Sequence, residues 1–307
     1  MQTAYISKLM ELAERDKNVM HLLADSGTGY DEMFRRNFPE QIINFGIAEE
    51  NMVAAAAGMA TCEKIPFVYT AGAFLCYRSL EFIRNDICFQ NLNVKLIGMG
   101  SGLSWSSLGP THHTTEDIAV LRSLPNLMIL APATPKQVFE AAETAYNHIG
   151  PVYIRIGMNH EKEFFPDDHT LAAGKNDVLF EGKDLVVFSV GSILEEVYEA
   201  VSKLIDSGNS IGLINVSTVK PFNYEDAYEH IKNAKAVVSV EEHSVFGGLG
   251  SIMAEVIAKY RLDLKLETLG LNDRFAAGYG SIKAVRKANG FDSESLYNKI
   301  KKVCDVI

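Results

Sequence analysis

Residues 44–60 read NFGIAEENMVAAAAGMA, an alanine-rich helical pattern that opens on two adjacent carboxylates, Glu49 and Glu50. Gly46 follows a strand-like run, so the helix should begin near Ala48. Two readings stand side by side. A carboxylate in a helix's first turn complements the positive end of the macrodipole. A carboxylate on a buried side needs a specific partner, because an unpaired buried charge is costly. The small side chains favour close approach of another helix or a dimer mate, which would bury this helix.

Three further stretches carry residues able to do chemistry. Residues 100–117, GSGLSWSSLGPTHHTTED, form a glycine- and serine-rich loop after a strand, with His112 and His113 near its end. Either histidine could satisfy loop backbone. The loop nonetheless lies beyond a strand's carboxyl end, where α/β sheets gather ligand-binding groups. Thr114 and Asp117 resemble a capping box for the helix that follows. In AGAFLCYRSLEFIRND (71–86), Phe74 and Tyr77 fall at i and i+3 on one helix face. They serve core packing, or they hold a flat heteroaromatic ring. EEHSVFGGLG (241–250) has the look of a phosphate loop but lacks dinucleotide and P-loop spacing, so it reads as a tight strand-to-helix turn.

The elements around these residues alternate. Strand-like runs at 19–24, 41–45, 66–70, 94–100, 126–131 and 151–156 are separated by helical patterns at 48–62, 74–87, 115–124 and 135–148. Alternation of this kind predicts an α/β sheet, mostly parallel. The rhythm fails at 157–182, which reads as a polar linker with room for a short hairpin. A second unit follows, with strands at 184–190, 210–216, 234–240 and 264–270, helices between them, and two closing helices at 280–288 and 293–303. The expected division is 1–160, a linker at 161–183, and 184–307.

Composition narrows the function. The chain has 307 residues, 47% apolar and 22% charged, which suits packed domains and not disorder. A net charge of −10 argues against nucleic acid or an anionic membrane as the main partner. The longest apolar stretch, MVAAAAGMA, is too short to span a bilayer. Cys62, Cys76, Cys88 and Cys304 form no C-x-x-C pair, so no zinc site or disulfide framework is expected, and reduced thiols suit the cytoplasm.

Taken together and in order, these stretches resemble the C-terminal half of transketolase over almost the whole chain. The resemblance rests on GIAEENM, on GPTHH followed by a helix and RSLPN, on VEEHSVFGGLGSIMAEV and on LNDRF. The same two modules occur in deoxyxylulose-phosphate synthases and 2-oxoacid dehydrogenase beta subunits. GPTHH favours transketolase over the dehydrogenases. A non-catalytic regulatory homologue is the alternative of another class.

The resemblance implies thiamine diphosphate chemistry, with a two-carbon ketol unit passed from a ketose to an aldose. It makes Glu49 the carboxylate that bonds the cofactor's aminopyrimidine and relays its proton, and leaves Glu50 as a helix-start charge. It puts Phe74 and Tyr77 against the pyrimidine, with Tyr77 the closer match to the stacking residue, Asp25 near the cofactor, His112 on a substrate hydroxyl and Arg155 on a substrate phosphate. No metal ligand is expected in the chain. Several phosphate-serving positions depart from the family pattern. Tyr5 stands near where transketolases often have an arginine, Gly29 near a family serine position, Gly100 near a family histidine position, and Leu108 where the family has an aspartate that contacts a substrate hydroxyl. The Gly-Asp-Gly motif that holds diphosphate and Mg²⁺ is absent from the sequence. The expected partner is therefore a separate N-terminal transketolase subunit carrying that motif, in an assembly that also dimerises and works on sugars or sugar phosphates.

Overall fold

The computed structural model of the chain describes residues 1–25, 29–158 and 161–307. The part of ADSGTG between Asp25 and Gly29, and the expected boundary at residue 160, lie outside the described residues.

The first half runs α1 (Gln2–Arg15), β1 (Val19–Leu23), α2 (Gly29–Asn37), β2 (Ile42–Asn44), α3 (Glu49–Thr61) and β3 (Ile65–Ala71). Two wide π-helical stretches, Phe74–Arg78 and Ile83–Cys88, then flank the short α4 (Leu80–Phe82). β4 (Lys95–Met99), α5 (Asp117–Arg122), β5 (Met128–Leu130), α6 (Pro135–Asn147) and β6 (Val152–Ile156) follow. The second half holds β7 (Asp177–Phe180), β8 (Leu185–Val190), α7 (Leu194–Asp206), β9 (Ile211–Asn215), β10 (Thr218–Lys220) and α8 (Tyr224–Ile231). It ends with β11 (Ala236–Ser244), α9 (Leu249–Tyr260), β12 (Lys265–Leu271), α10 (Ile282–Asn289) and α11 (Ser293–Cys304).

Among the described residues the strands form two sheets, ordered β10-β5-β6-β4-β3-β1-β2 and β12-β11-β8-β9-β7. Pairing is parallel except at one edge of each sheet, where β10 runs antiparallel to β5 and β7 antiparallel to β9. Central strands β1, β4, β6, β8 and β9 are buried along their whole length. That suits a parallel sheet covered on both faces and explains why they read as unbroken apolar runs.

Local chemistry sets the helix starts. Thr134 accepts from the Gln137 amide with Pro135 at the first helical position, and Asp292 and Ser281 cap α11 and α10 in the same manner. The two halves share one apolar cluster, in which Met52, Val53, Ile118 and Leu121 pack with Val186, Phe188, Leu249 and Met253. β10 goes further and hydrogen-bonds into the first sheet from a position beyond the second half's first strands. The stretch expected to be a linker contributes β7 to the second sheet.

α3 differs from the buried helix that its alanines suggested. Met52, Val53, Ala56 and Ala57 face inward, while Gly58 is exposed, with nothing within 4 Å of where its Cβ would stand. Among the described residues none closes on that face at Gly58.

Candidate active site

β2, β1, β3 and β4 lie side by side and parallel, so the segments after them emerge along one edge of the sheet. Asp25 follows β1, Glu49 follows β2, Phe74 follows β3 and the 100–113 loop follows β4. This is the carboxyl edge at which open α/β sheets bind ligands.

Glu49 is the first residue of α3 and only 2% exposed, whereas Glu50 is half-buried. Its Oε2 accepts from Arg78 Nη1 at 2.5 Å, and Oε1 has no hydrogen-bond partner among the described residues. The Arg78 guanidinium also lies over the Phe74 ring, 4.8 Å from its centroid. The His112 ring meets Phe74 edge-on at 4.9 Å, and Trp105 lies 5.9 Å beyond His112. The structure thus brings Glu49, Phe74 and His112 together and adds Arg78 and Trp105, which the sequence did not single out.

Tyr77 turns elsewhere. Its hydroxyl donates to Glu116 Oε2 at 2.8 Å and accepts from the Glu116 amide at 2.9 Å, with the side chain part-exposed. A π-helical turn winds more widely than an α-turn, and i and i+3 need not share a face in it. Asp25 sits at the end of β1 in a left-handed conformation, φ 49°. Its amide and that of Gly46 both donate to Asn44 Oδ1, at 3.2 and 2.9 Å. Asn44 therefore ties the Asp25 strand end to the turn that launches α3, a positioning role that a lone Asn in a strand-like run did not advertise.

The 100–113 loop is pinned at its base. Gly102 and Thr114 exchange both backbone hydrogen bonds, at 3.0 and 2.9 Å, and the Gly100 and Ser101 amides share Ile156 O. Gly100 has φ +83°, and a Cβ there would run into the Trp105 indole. A larger residue at 100 would expel Trp105 from its place beside His112. His113 is 2% exposed, and neither ring nitrogen has a partner. Burial lowers its pKa, against the pull of Glu242 and Glu116. The expected capping box is absent: α5 starts at Asp117 without a side-chain cap, and the Thr114 hydroxyl is unpartnered.

Asp117 is engaged elsewhere, with Arg155. Arg155 is 1% exposed; its Nε donates to Asp117 at 2.8 and 3.1 Å, and its Nη2 donates to Thr114 O and Glu242 O at 3.0 Å. Burial works against its charge, yet Asp117 holds its pKa above the usual arginine value. The phosphate grip expected of Arg155 does not suit this geometry. Its charge is neutralised and its donors tie β6 to the histidine loop and to β11. Tyr5 is likewise fully buried, stacked on Tyr69 at 5.2 Å, so it does not line the site.

The GGLG turn is also closed to phosphate. Glu241, fully buried, accepts from the Leu249 and Gly250 amides at 2.7 and 2.8 Å and so fills the anion position at the start of α9. A Cβ on Gly247 would meet Ala119, and one on Gly248 would meet Glu241, as a tight turn requires.

Comparison with known proteins fits this arrangement. Residues 1–159 match the transketolase pyrimidine binding domain, and residues 174–296 the transketolase C-terminal domain. One subunit of an apulose-4-phosphate transketolase from Actinobacillus succinogenes is 35% identical, over 95% of this chain and 94% of its own. A putative transketolase C-terminal section from Methanocaldococcus jannaschii is also 35% identical, over 98% and 95%. A solved split gene transketolase, described as an inactive beta4 tetramer, superposes with a TM-score of 0.88 at 33% identity, covering 99% of this chain and 97% of that one.

Two parallel α/β domains with a buried carboxylate and aromatic rings at one sheet edge define a pyrimidine-binding and C-terminal domain pair. The chain belongs to the transketolase family, and it corresponds to the C-terminal half of split, thiamine diphosphate-dependent transketolases.

Proposed function

We propose that this chain is the pyrimidine-side subunit of a two-polypeptide transketolase, with Glu49 as its central catalytic residue. The observation that carries the reading is a carboxylate 2% exposed at a helix start, with one oxygen unpartnered among the described residues and the Phe74 ring on the far side of its arginine. The aminopyrimidine end of thiamine diphosphate fits such a donor set. Glu49 would take the ring nitrogen and Phe74 would lie against the ring, while Tyr77, bonded to Glu116, is not placed beside it. When bound, the cofactor supplies the electron sink for carbon–carbon cleavage. With the cofactor bound, Glu49 would hold the proton shared with the ring, and His112, against Phe74, would offer a ring nitrogen to a substrate hydroxyl. Asp25, at the end of the neighbouring strand, completes the cofactor-side set.

The diphosphate end has no comparable match. Among the described residues no group of three or more His, Cys, Asp or Glu side chains could hold a metal ion, and the α9 start is occupied by Glu241. On this reading diphosphate and Mg²⁺ are assigned to an N-terminal partner subunit carrying the Gly-Asp-Gly motif that this sequence lacks, in a heterotetramer of two such pairs. The division into a first unit to about residue 160 and a second unit belongs to the same reading, with the second unit taking in β7 from the stretch 161–183 and the family matches falling at 1–159 and 174–296.

The substrates are ketoses and aldoses held with little reliance on phosphate by this chain. The 100–113 loop contains no lysine or arginine, Leu108 is 45% exposed in it, and Arg155 is buried. A cytoplasmic setting accords with four free cysteines and with no helix long and apolar enough to cross a membrane among the described residues.

Reconstitution with the partner tests the reading. Glu49→Gln should abolish ketol transfer with the fold intact, since it removes a charge-assisted bond to the cofactor. Glu50→Gln should have little effect, a half-buried first-turn charge contributing about 0.3–1 kcal/mol. Equal losses at both positions, or full activity without Glu49, would overturn it.

A further inference from the structure

Among the described residues Arg78 makes a hydrogen bond to the buried Glu49 carboxylate, 2.5 Å, and a planar contact over Phe74, 4.8 Å. A cationic, flat, hydrogen-bonding group between a carboxylate and a phenyl ring is what a protonated aminopyrimidine would also be. The guanidinium presents that chemistry from within the protein. We propose that Arg78 is an internal competitor for the pyrimidine site: it occupies the slot in the cofactor-free chain and has to swing out before the cofactor can take Glu49. This inference rests on the assignment of Glu49 to the cofactor.

The geometry gives Arg78 both a reason to be there and a way out. Without it, Glu49 would be a buried carboxylate with no partner, a destabilising condition for a subunit that exists before assembly. The Arg78 side chain is 39% exposed, against 2% for Glu49, so the arginine can leave for solvent while the carboxylate cannot. It also stands in the π-helical stretch Phe74–Arg78, whose winding turns it back toward α3. A site closed by its own side chain binds with an apparent affinity reduced by the fraction of molecules in which the slot is open. If the guanidinium is in place in nine molecules of ten, that is a reduction of about tenfold.

The competitor makes opposite predictions for stability and for affinity, and a mere packing role does not. In the reconstituted apoenzyme, Arg78→Gln should lower the melting temperature and yet tighten thiamine diphosphate binding about tenfold at saturating Mg²⁺. Binding is read by calorimetry and by the emission of Trp105, the single tryptophan of this chain, which reaches Phe74 through His112. Arg78→Lys, which keeps the charge but loses the flat contact, should fall between. Unchanged or weaker binding in Arg78→Gln overturns the proposal, whichever way stability moves. Glu49→Gln is the control for the underlying reading. If it leaves cofactor affinity untouched, the assignment of Glu49 fails. If it weakens binding while Arg78→Gln does not tighten it, the assignment stands and the competitor falls.

Discussion

Arg155 and Glu49 are both buried charges, and each is held by a different kind of partner. Arg155 spends its Nε on Asp117 and its Nη2 on two carbonyls, while Tyr153 donates to the same Asp117 at 2.8 Å. Breaking a buried pair by removing one member typically costs about 3–5 kcal/mol, because the other charge is left uncompensated. Arg155→Met should therefore lower the unfolding free energy by that order in denaturant titration. Any folded fraction should show no selective rise in KM for phosphorylated over unphosphorylated sugars. A normal melting curve with a phosphate-specific KM defect would return Arg155 to the substrate. The sequence could not separate these roles, since YIRIG looks the same whether the arginine points to a ligand or to an aspartate 38 residues away. Glu49, Phe74 and His112 were legible only through resemblance to a family. Arg78 and Asn44 were not, because their partners are set by how a π-helical stretch and two strand ends fold back on α3.

At the scale of elements, strands were legible wherever burial on both faces made the apolar run continuous, as in β1, β4 and β8. The residues missed are those whose structure depends on a distant neighbour. β10 is three residues that pair across to the other half's sheet, and β7 is a half-buried edge strand in a polar stretch. α2, GYDEMFRRN, was passed over although its charges suit a helix, with Asp31 and Glu32 in the first turn and Arg35 and Arg36 in the last. β4 carries its own test. Lys95, at its start, is fully buried and donates to Asn93 Oδ1, His148 O and Gly150 O at 2.5, 2.7 and 2.8 Å, which fastens β4 to the turn between α6 and β6. Burial pushes its ammonium pKa down to about 7. A folded-state value below the unfolded one means that the unfolded chain binds more protons between about pH 7 and 10.4. The Lys95 contribution is then full above that window and lost as pH falls toward 7, by at most ~1.4 kcal/mol per pH unit. The stability of the wild type relative to Lys95→Met should rise from about pH 7 to 10 in parallel denaturations. A flat difference would mean that the three acceptors keep the ammonium charged throughout.

The whole molecule separates folding from catalysis. Its two sheets bury their own faces and share a common apolar cluster, so nothing in the core waits for a second polypeptide. The outer surface is different. Ile47, just before α3, is 77% exposed, Phe246 is 63%, Phe275 is 75% and Tyr279 is 68%. Tyr279 packs over Gly109 in the histidine loop and Ile47 stands two residues before Glu49, so these two adjoin the site itself. Large apolar groups left bare beside a functional loop point to a protein partner there. The purified chain should accordingly be folded and self-associated on gel filtration, yet inert. Calorimetry with thiamine diphosphate and Mg²⁺ should show no tight binding, because on the proposed reading the chain's described residues offer the pyrimidine end one carboxylate, itself held by Arg78, and leave the charged end to the partner. Adding an N-terminal subunit with a Gly-Asp-Gly motif should restore binding and ketol transfer together. Replacing Ile47 and Phe275 by serine should leave the melting curve of the chain alone nearly unchanged, since both side chains are already in solvent, while weakening assembly and therefore apparent cofactor affinity. Ketol transfer by the chain freed of any co-purifying partner would mean that the missing half of the site is not missing, and the two-polypeptide reading would have to be abandoned.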